Sequence, residues 1–324
     1  MPTAYKYHLQ PYAGRSTRHK CPHCGRVQSF SYYIDDNGWN PGPQYGRCNH
    51  TGCGYLLYPS DITAPANIAA PSPNLATEKK PPIYYTRANV AAYRPAAMNN
   101  ALCRYLCTRL TDMNRFFDVL RQYCIGSVED GIIFWQIDEH FTIHRGKVMW
   151  YRPDGHRLKL TRPDGSEYGK VQMMWRYIPN HHRDRDPEMC YFGQHLASLY
   201  PNKPLALVES EKTALVMSYY YPNFIWVSTL SLANFQAYRL TFLKDRKHPI
   251  IIFPDFDGYD QWHTKALAIK NVMPDSLIFV DDFILSHGSE KDDLADIFLR
   301  DPAAVYDAFI QQATLYESIN CPTA

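Results

Sequence analysis

The sequence has no apolar run near the ~18 residues that a membrane-spanning helix requires. Its opening twenty residues, MPTAYKYHLQPYAGRSTRHK, lack the apolar core of a signal peptide. Both absences predict a cytoplasmic protein with no membrane partner. Charge of one sign is also missing: 34 Lys and Arg against 32 Asp and Glu leave a formal charge of +2 over 324 residues, so nucleic acid would have to be met by local basic patches. There is no Gly-x-Gly-x-x-Gly and no Walker loop, which argues against a dinucleotide site and against a P-loop ATPase. A length of 324 residues predicts about two domains. Tyrosine is plentiful, often beside Arg or Lys, an arrangement that suits base stacking and a packed surface equally well.

Cysteine is present, and its distribution is informative. Four of nine cysteines fall between residues 21 and 53, in CPHCG and CNHTGCGY. Clustering of this kind in a cytosolic chain points to metal rather than disulfides. Cys21, Cys24, Cys48 and Cys53 form two knuckles, each followed by glycine, and four thiolates make a closed tetrahedral site of the structural zinc type. His23 and His50 are the alternative ligands within the knuckles. Between the pairs, SFSYYIDDNGW reads as a strand entering an Asn-Gly turn, completing a zinc-ribbon layout. So small a module has little core, so zinc would supply much of its folding energy.

Residues 59 to 82, PSDITAPANIAAPSPNLATEKKPP, are rich in Pro, Ala and Ser without apolar periodicity and read as a linker. NNALCRYLCTRL and DMNRFFDVLRQYCI then carry helical periodicity, with Cys103, Cys107 and Cys124 on the apolar stripes as small core residues. Residues 131 to 160 change to strand-like runs separated by polar turns, with Pro-Asp-Gly at 153 to 155 as a hairpin signal. Arg145, Lys147, Arg152, Arg157 and Lys159 fall in this small sheet. Alternation along a strand lets Arg157 and Lys159 share a face, either as a phosphate-binding surface or as an ordinary solvated one.

From residue 204 strands and helices alternate: LALVE, EKTALVMSYYY, FIWVS, LANFQAYRLTFL, PIIIFPD, YDQWHTKALAIKNVM, SLIFVDDF, DDLADIFL. This is the pattern of parallel βαβ units. Two strands end abruptly on acids, Glu209 in one and Asp255 with Asp257 in the other. Acids at the carboxyl ends of parallel strands lie where open α/β sheets build their sites, and carboxylates converging there suit a hard divalent cation.

A glutamate ending one strand, followed two strands later by Asp-x-Asp ending another, resembles the Toprim domain. With the ribbon in front and the basic sheet between, nearly the whole chain resembles a bacterial-type DNA primase. The strings IIFWQIDEHFTIHRGKVMWY, FGQHL and VESEKTA are most similar to primase-like proteins carried by plasmids and conjugative elements. The resemblance implies an α+β and α/β multidomain chain. Its parts are a zinc ribbon over 1–58, a linker over 59–88, a primase-like N-terminal subdomain of the catalytic core over 89–203 and a Rossmann-like Toprim domain over 204–324. It further implies Glu209 as general acid/base or metal-orienting group and Asp255 and Asp257 as ligands of magnesium or manganese. Asp292 or Asp293 would add a further acid, with helix capping the alternative role, and Lys212 would contact phosphate. Arg145, Lys147, Arg157 and Lys159 would face nucleotide or nucleic acid.

The expected activity is primer synthesis from ribonucleotides on single-stranded DNA, with any replicative helicase acting in trans. A metal-dependent nuclease and a non-enzymatic nucleic-acid-binding accessory are the alternatives. Two positions depart from the family pattern. Ser210 stands where glycine usual follows the glutamate, and Thr213 stands where a further aspartate is frequent. Loss of that carboxylate bears on a second metal position.

Overall fold

A computed structural model describes residues 7–50, 53–59, 81–162, 165–244 and 246–319. The chain forms two compact units, Met1–Glu78 and Lys79–Ala324.

In the first unit four short strands pair antiparallel in chain order: β1 (His8–Leu9), β2 (Phe30–Ile34), β3 (Gly46–Cys48) and β4 (Leu56–Leu57). Its buried cluster is only Cys21, Phe30 and Cys48, with Tyr32, Cys53 and Tyr55 packed against it. A core this small cannot offset the ordering of so many residues without a further constraint.

The second unit opens with three helices, α1 (Arg87–Tyr93), α2 (Ala101–Cys107) and α3 (Met113–Gln122). Each starts where a side chain takes up a free backbone donor. Thr86 forms a reciprocal capping box with Asn89, Asn100 accepts from the Cys103 amide at 2.8 Å, and Asp112 accepts from Arg115 at 3.0 Å. The last two sit where the helical periodicity begins in the sequence. Most of the expected linker, residues 60–80, lies outside the described residues. Its final residues are built into the unit: Tyr85 is buried and bridges Ile143, and α1 follows directly. Cys103 is fully buried, while Cys107 and Cys124 are only partly so.

An antiparallel sheet follows, with β5 (Gly126–Val128), β6 (Gly131–Ile137) and β7 (Ile143–Met149) as consecutive neighbours. The hairpin β8 (Lys159–Thr161) and β9 (Glu167–Gly169) stands apart, and β10 (Val171–Met173) returns to pair with β7. The β6 run GIIFWQI is buried at every position. Alternate side chains explain this: Ile132 and Phe134 enter one core, while Ile133, Trp135 and Ile137 enter another on the opposite face.

After α4 (Leu196–Leu199) the chain builds a parallel sheet from β11 (Leu205–Val208), β12 (Ile225–Ser228), β13 (Ile250–Ile252) and β14 (Ile278–Val280), in the order β12-β11-β13-β14. The intervening and following helices are α5 (Glu211–Tyr220), α6 (Tyr259–Val272), α7 (Phe283–His287), α8 (Leu294–Arg300) and α9 (Pro302–Glu317). The segment LANFQAYRLTFL, expected as a helix, is instead two 3₁₀ stretches, Leu232–Asn234 and Ala237–Leu243. The Leu232 carbonyl accepts the Phe235 amide at 3.2 Å in the 3₁₀ pattern and also Lys265 Nζ, and the Asn234 carbonyl accepts the Tyr191 hydroxyl at 2.8 Å. No helix among the described residues is long and apolar enough to cross a membrane.

One core joins α2, α3 and one face of β6 to the parallel sheet and its helices. Phe134 lies in it, fully buried and edge-on to Phe192 at 5.3 Å. Phe134→Ala should therefore cost about 3–5 kcal/mol and lower a single melting transition of residues 79–324. Denaturant melts followed separately by near-UV and far-UV dichroism check this. Loss of the antiparallel part alone, with the parallel sheet intact, would refute the shared core.

Candidate functional site

The ribbon unit places all four cysteine sulfurs within 4.8 Å of one another. Cys21 and Cys53 Sγ are 3.8 Å apart, and Cys24 and Cys48 Sγ 3.9 Å. A tetrahedron of ~2.3 Å zinc–sulfur bonds has an edge of about 3.8 Å, so the set fits zinc without rearrangement. The chemistry of the donors agrees. Burial alone would raise the Cys48 thiol, but the His50 amide, which donates to its sulfur at 3.4 Å, together with contacts to Ser29 and the neighbouring thiols, brings it down to about 7. The Tyr55 amide favours the Cys53 thiolate, yet burial and the other three thiols push that group up to about 12. Four thiolates cannot coexist there without a cation. His23 Nδ1 approaches Cys53 Sγ at 3.5 Å and His50 Nδ1 approaches Cys24 Sγ at 4.0 Å, and neither imidazole joins the mutual set. Purified protein should carry one zinc per chain by elemental analysis, and Cys48→Ala should lose it together with amide-exchange protection of β2 and β3. Zinc-free protein with a protected ribbon would contradict this.

In the second unit, β11 and β13 are adjacent and in register, Leu207 opposite Ile252. Their carboxyl ends therefore deliver Glu209 and Asp255 to one edge of the sheet. These two line a cleft of about 580 Å³ with Lys212, Asp293, Asp296 and, on the hairpin side, Arg157 and Lys159. The turn just before Arg157, closed by the Arg152 amide on the His156 carbonyl, holds Gly155, whose φ of +81° suits glycine and whose Cα approaches the Tyr105 ring so closely that a side chain would collide with it.

The floor of the cleft is a hydrogen-bonded relay. Ser210 caps α5, accepting from the Thr213 amide at 3.1 Å, and the Thr213 hydroxyl donates to Asp293 Oδ2 at 2.7 Å. Asp293 in turn caps α8 in a reciprocal box with Asp296. Lys212 Nζ donates to Asp296 Oδ1 at 2.6 Å and lies 3.8 Å from Asp293. Burial lowers the Lys212 ammonium's proton affinity, but the two aspartates outweigh it and hold the group above its ordinary range. Asp255 has no such partner. Burial first, then the charges of Asp293, Glu209 and Asp296, push its carboxyl up to about 8, opposed by Arg157.

The residues named from the sequence are thus only partly brought together. Glu209, Asp255 and Asp293 converge. Asp257 is exposed on the next turn, accepting from the Lys291 amide at 3.1 Å, and does not line the cleft. Asp292 faces away to Ser289 and Arg300. Asp296, not named from the sequence, is in the cleft, and the Asp-x-x-Asp spacing of a capping box was its only trace. Among the basic candidates, Arg157 and Lys159 line the cleft, and Lys159 also reaches Glu167 at 3.2 Å. Arg145 is paired with Asp186 at 3.1 Å and Lys147 with the fully buried Glu211 at 2.7 Å, so both are neutralised inside the fold. Lys212 is engaged by carboxylates rather than free for phosphate.

Among the described residues the cysteines are the only three or more His, Cys, Asp or Glu whose ligand atoms lie mutually within 4.8 Å. No three carboxylates of the cleft meet that mutual distance.

Residues 5–68 match a family described as a putative zinc beta-ribbon finger, and residues 100–256 match a domain of unknown function, DUF6371. No curated protein matches the chain. The solved structures it resembles include primases. The primase fragment of the bacteriophage T7 primase-helicase is 15% identical, with 92% of this chain and 98% of that one covered at a TM-score of 0.42. The RNA polymerase domain of Mycobacterium tuberculosis primase DnaG is 13% identical, covering 69% and 81%, at 0.44. A DnaG primase catalytic domain bound to single-stranded DNA is 12% identical, covering 69% and 76%, at 0.43.

The crowding at Asp255 has a pH signature. Its carboxyl binds a proton more tightly in the folded state, up to about 8, than in the unfolded chain near 4. Between those values the folded state binds more protons, so stability should fall as pH rises from about 4 to 8 and then level off, by a few kcal/mol in all. Denaturant melts in chelator should show this slope for wild type and a flatter one for Asp255→Asn. Millimolar magnesium or manganese should flatten the wild-type slope by stabilising the ionised form. Equal slopes in all three samples would remove the cation argument.

Proposed function

We propose that this chain is a primase-type nucleotidyltransferase that makes short RNA primers on single-stranded DNA, with a Toprim carboxylate site at the edge of its parallel sheet. The observation that carries the reading is the convergence of Glu209, Asp255, Asp293 and Asp296 in one cleft, facing Arg157 and Lys159. Joining nucleotides requires a 3′-hydroxyl to attack an α-phosphate while pyrophosphate leaves. A divalent cation held by Asp255 with Glu209 or Asp293 would stabilise charge on the attacking and leaving oxygens. Arg157 and Lys159, on the opposite wall, orient the triphosphate. Glu209, at the tip of β11 and hydrogen-bonded through its own carbonyl to Ser228 at 2.7 Å, is positioned to accept the hydroxyl proton. The ribbon, as a separate unit, would engage template. The resemblance of its motifs to plasmid-borne proteins supports a role in mobile-element replication, with a helicase supplied in trans.

A second reading has one observation in its favour. Lys212 already occupies part of the acidic cluster as an internal cation. A site so neutralised would bind nucleic acid with weak or no catalysis. Incubation with single-stranded DNA, labelled ribonucleotides and magnesium or manganese separates the readings. Labelled oligoribonucleotides should form and fall at least about 100-fold in Asp255→Ala and Glu209→Ala, the scale of losing a main electrostatic group. Shortened input DNA would indicate a nuclease, and binding without product the accessory role.

A further inference from the structure

Away from the acidic cleft the second unit has a concave surface of the opposite chemistry. Two adjoining clefts of about 410 and 490 Å³ run beside α1, the turn after it and α3, sharing Ala91, Arg94 and Arg121. Their floor is aliphatic, from Val90, Leu120, Ile125, Ile137 and Ile143, all buried. Phe117, Phe141 and Leu199 stand on the rim, each more than a third exposed. Apolar rims around an apolar floor mark contact surfaces more often than ordinary solvent-facing ones.

The charge on this surface is one-sided. Arg87, Arg94 and Arg121 line the clefts and no Asp or Glu does. Arg121 pairs with Asp118 on its own helix, and among the described residues Arg87 and Arg94 make no ion pair. A further observation concerns Phe141, held at φ +63°, where an aromatic side chain is strained. The turn that imposes this is fixed by Asp138, which accepts from the His140 amide at 2.9 Å, the Thr142 amide at 2.8 Å and His144 Nε2 at 2.9 Å. The strain holds a partly exposed ring at the groove's edge rather than in a core.

We propose that this groove docks an acidic amphipathic helix from a protein partner, an interaction beyond the proposed reaction. Such a helix presents apolar side chains at i, i+3, i+4 and i+7, matching two successive clefts. Glutamates on its flanks meet guanidinium groups, which pair with carboxylates through two parallel hydrogen bonds. The aliphatic floor with guanidinium groups at its edge is an apolar seat flanked by positive charge, which matches the two faces of such a helix.

The test uses the full chain and a fluorescein-labelled 16-residue helical peptide with leucine at i, i+3, i+4 and i+7 spacing and glutamate between. Fluorescence anisotropy should give saturable binding. Affinity should fall at least about tenfold in Ala91→Glu and in the double variant Arg94→Glu, Arg121→Glu. A matched peptide with lysine in place of glutamate should bind the wild type at least about tenfold more weakly. All three substituted residues are exposed, so unchanged melting temperatures should accompany the losses. Three results would overturn the proposal: no saturable binding, equal binding of the lysine peptide, or full competition by an oligonucleotide of DNA. So would a dimer in sedimentation that Ala91→Glu dissociates, since the occupant would then be a second copy of this chain.

Discussion

Carboxylate crowding in a half-buried cleft at the ends of β11 and β13 is the constraint to which the rest of the second unit answers. The register of two neighbouring parallel strands leaves the backbone no choice about where Glu209 and Asp255 emerge. Once there, they share the cleft with Asp293 and Asp296. Burial first, and then repulsion from these acids, push the Asp255 carboxyl up to about 8. The surroundings relieve only part of this. Lys212 serves the two acids of α8, Thr213 donates to one of them, and Arg157 opposes the charge on Asp255 from across the cleft. Relief is concentrated on α8, and the strand-end acids remain the ones best served by an added cation.

The same constraint orders the neighbouring elements. Glu211 follows directly in the chain and is fully buried, which is tolerable because Lys147 reaches it from the antiparallel sheet at 2.7 Å. Lys147 stands directly opposite Phe134 across β6 and β7, so that ion pair and the shared core tie the two sheets together through one face of the antiparallel sheet. A basic strand that reads as a nucleic-acid face in isolation is in part the counter-charge for the sheet next to it.

What could be read from the sequence was what depends on neighbours in the chain. The cysteine knuckles and the acids at the ends of two strands are set within a few residues, and the structure has both. The outward direction of Asp257 and Asp292, the entry of Asp296 and the pairing of Arg145 with Asp186 depend on contacts between distant segments. Periodicity carries no information about these. The segment over 232–243 failed for the same reason. Its helical spacing is real, but the backbone closes 3₁₀ bonds there, and Tyr191 and Lys265 reach carbonyls of the segment from distant parts of the chain.

The two departures from the resembled family take on a physical meaning in this setting. Ser210 has φ −102° and ψ 151°, ordinary extended backbone, so glycine is not required, and its hydroxyl provides the cap that starts α5. An aspartate at 213 would point its charge at Asp293, whose oxygen the Thr213 hydroxyl now approaches at 2.7 Å. With Asp296 one helical turn further on and Lys212 the only ammonium within reach of both, a fifth carboxylate would be pushed towards neutrality rather than add charge. Threonine instead donates a proton to the cluster and fixes the Asp293 rotamer towards the cleft. With threonine at 213, Glu209 and Asp255 share the cleft with the two carboxylates of the capping box that opens α8.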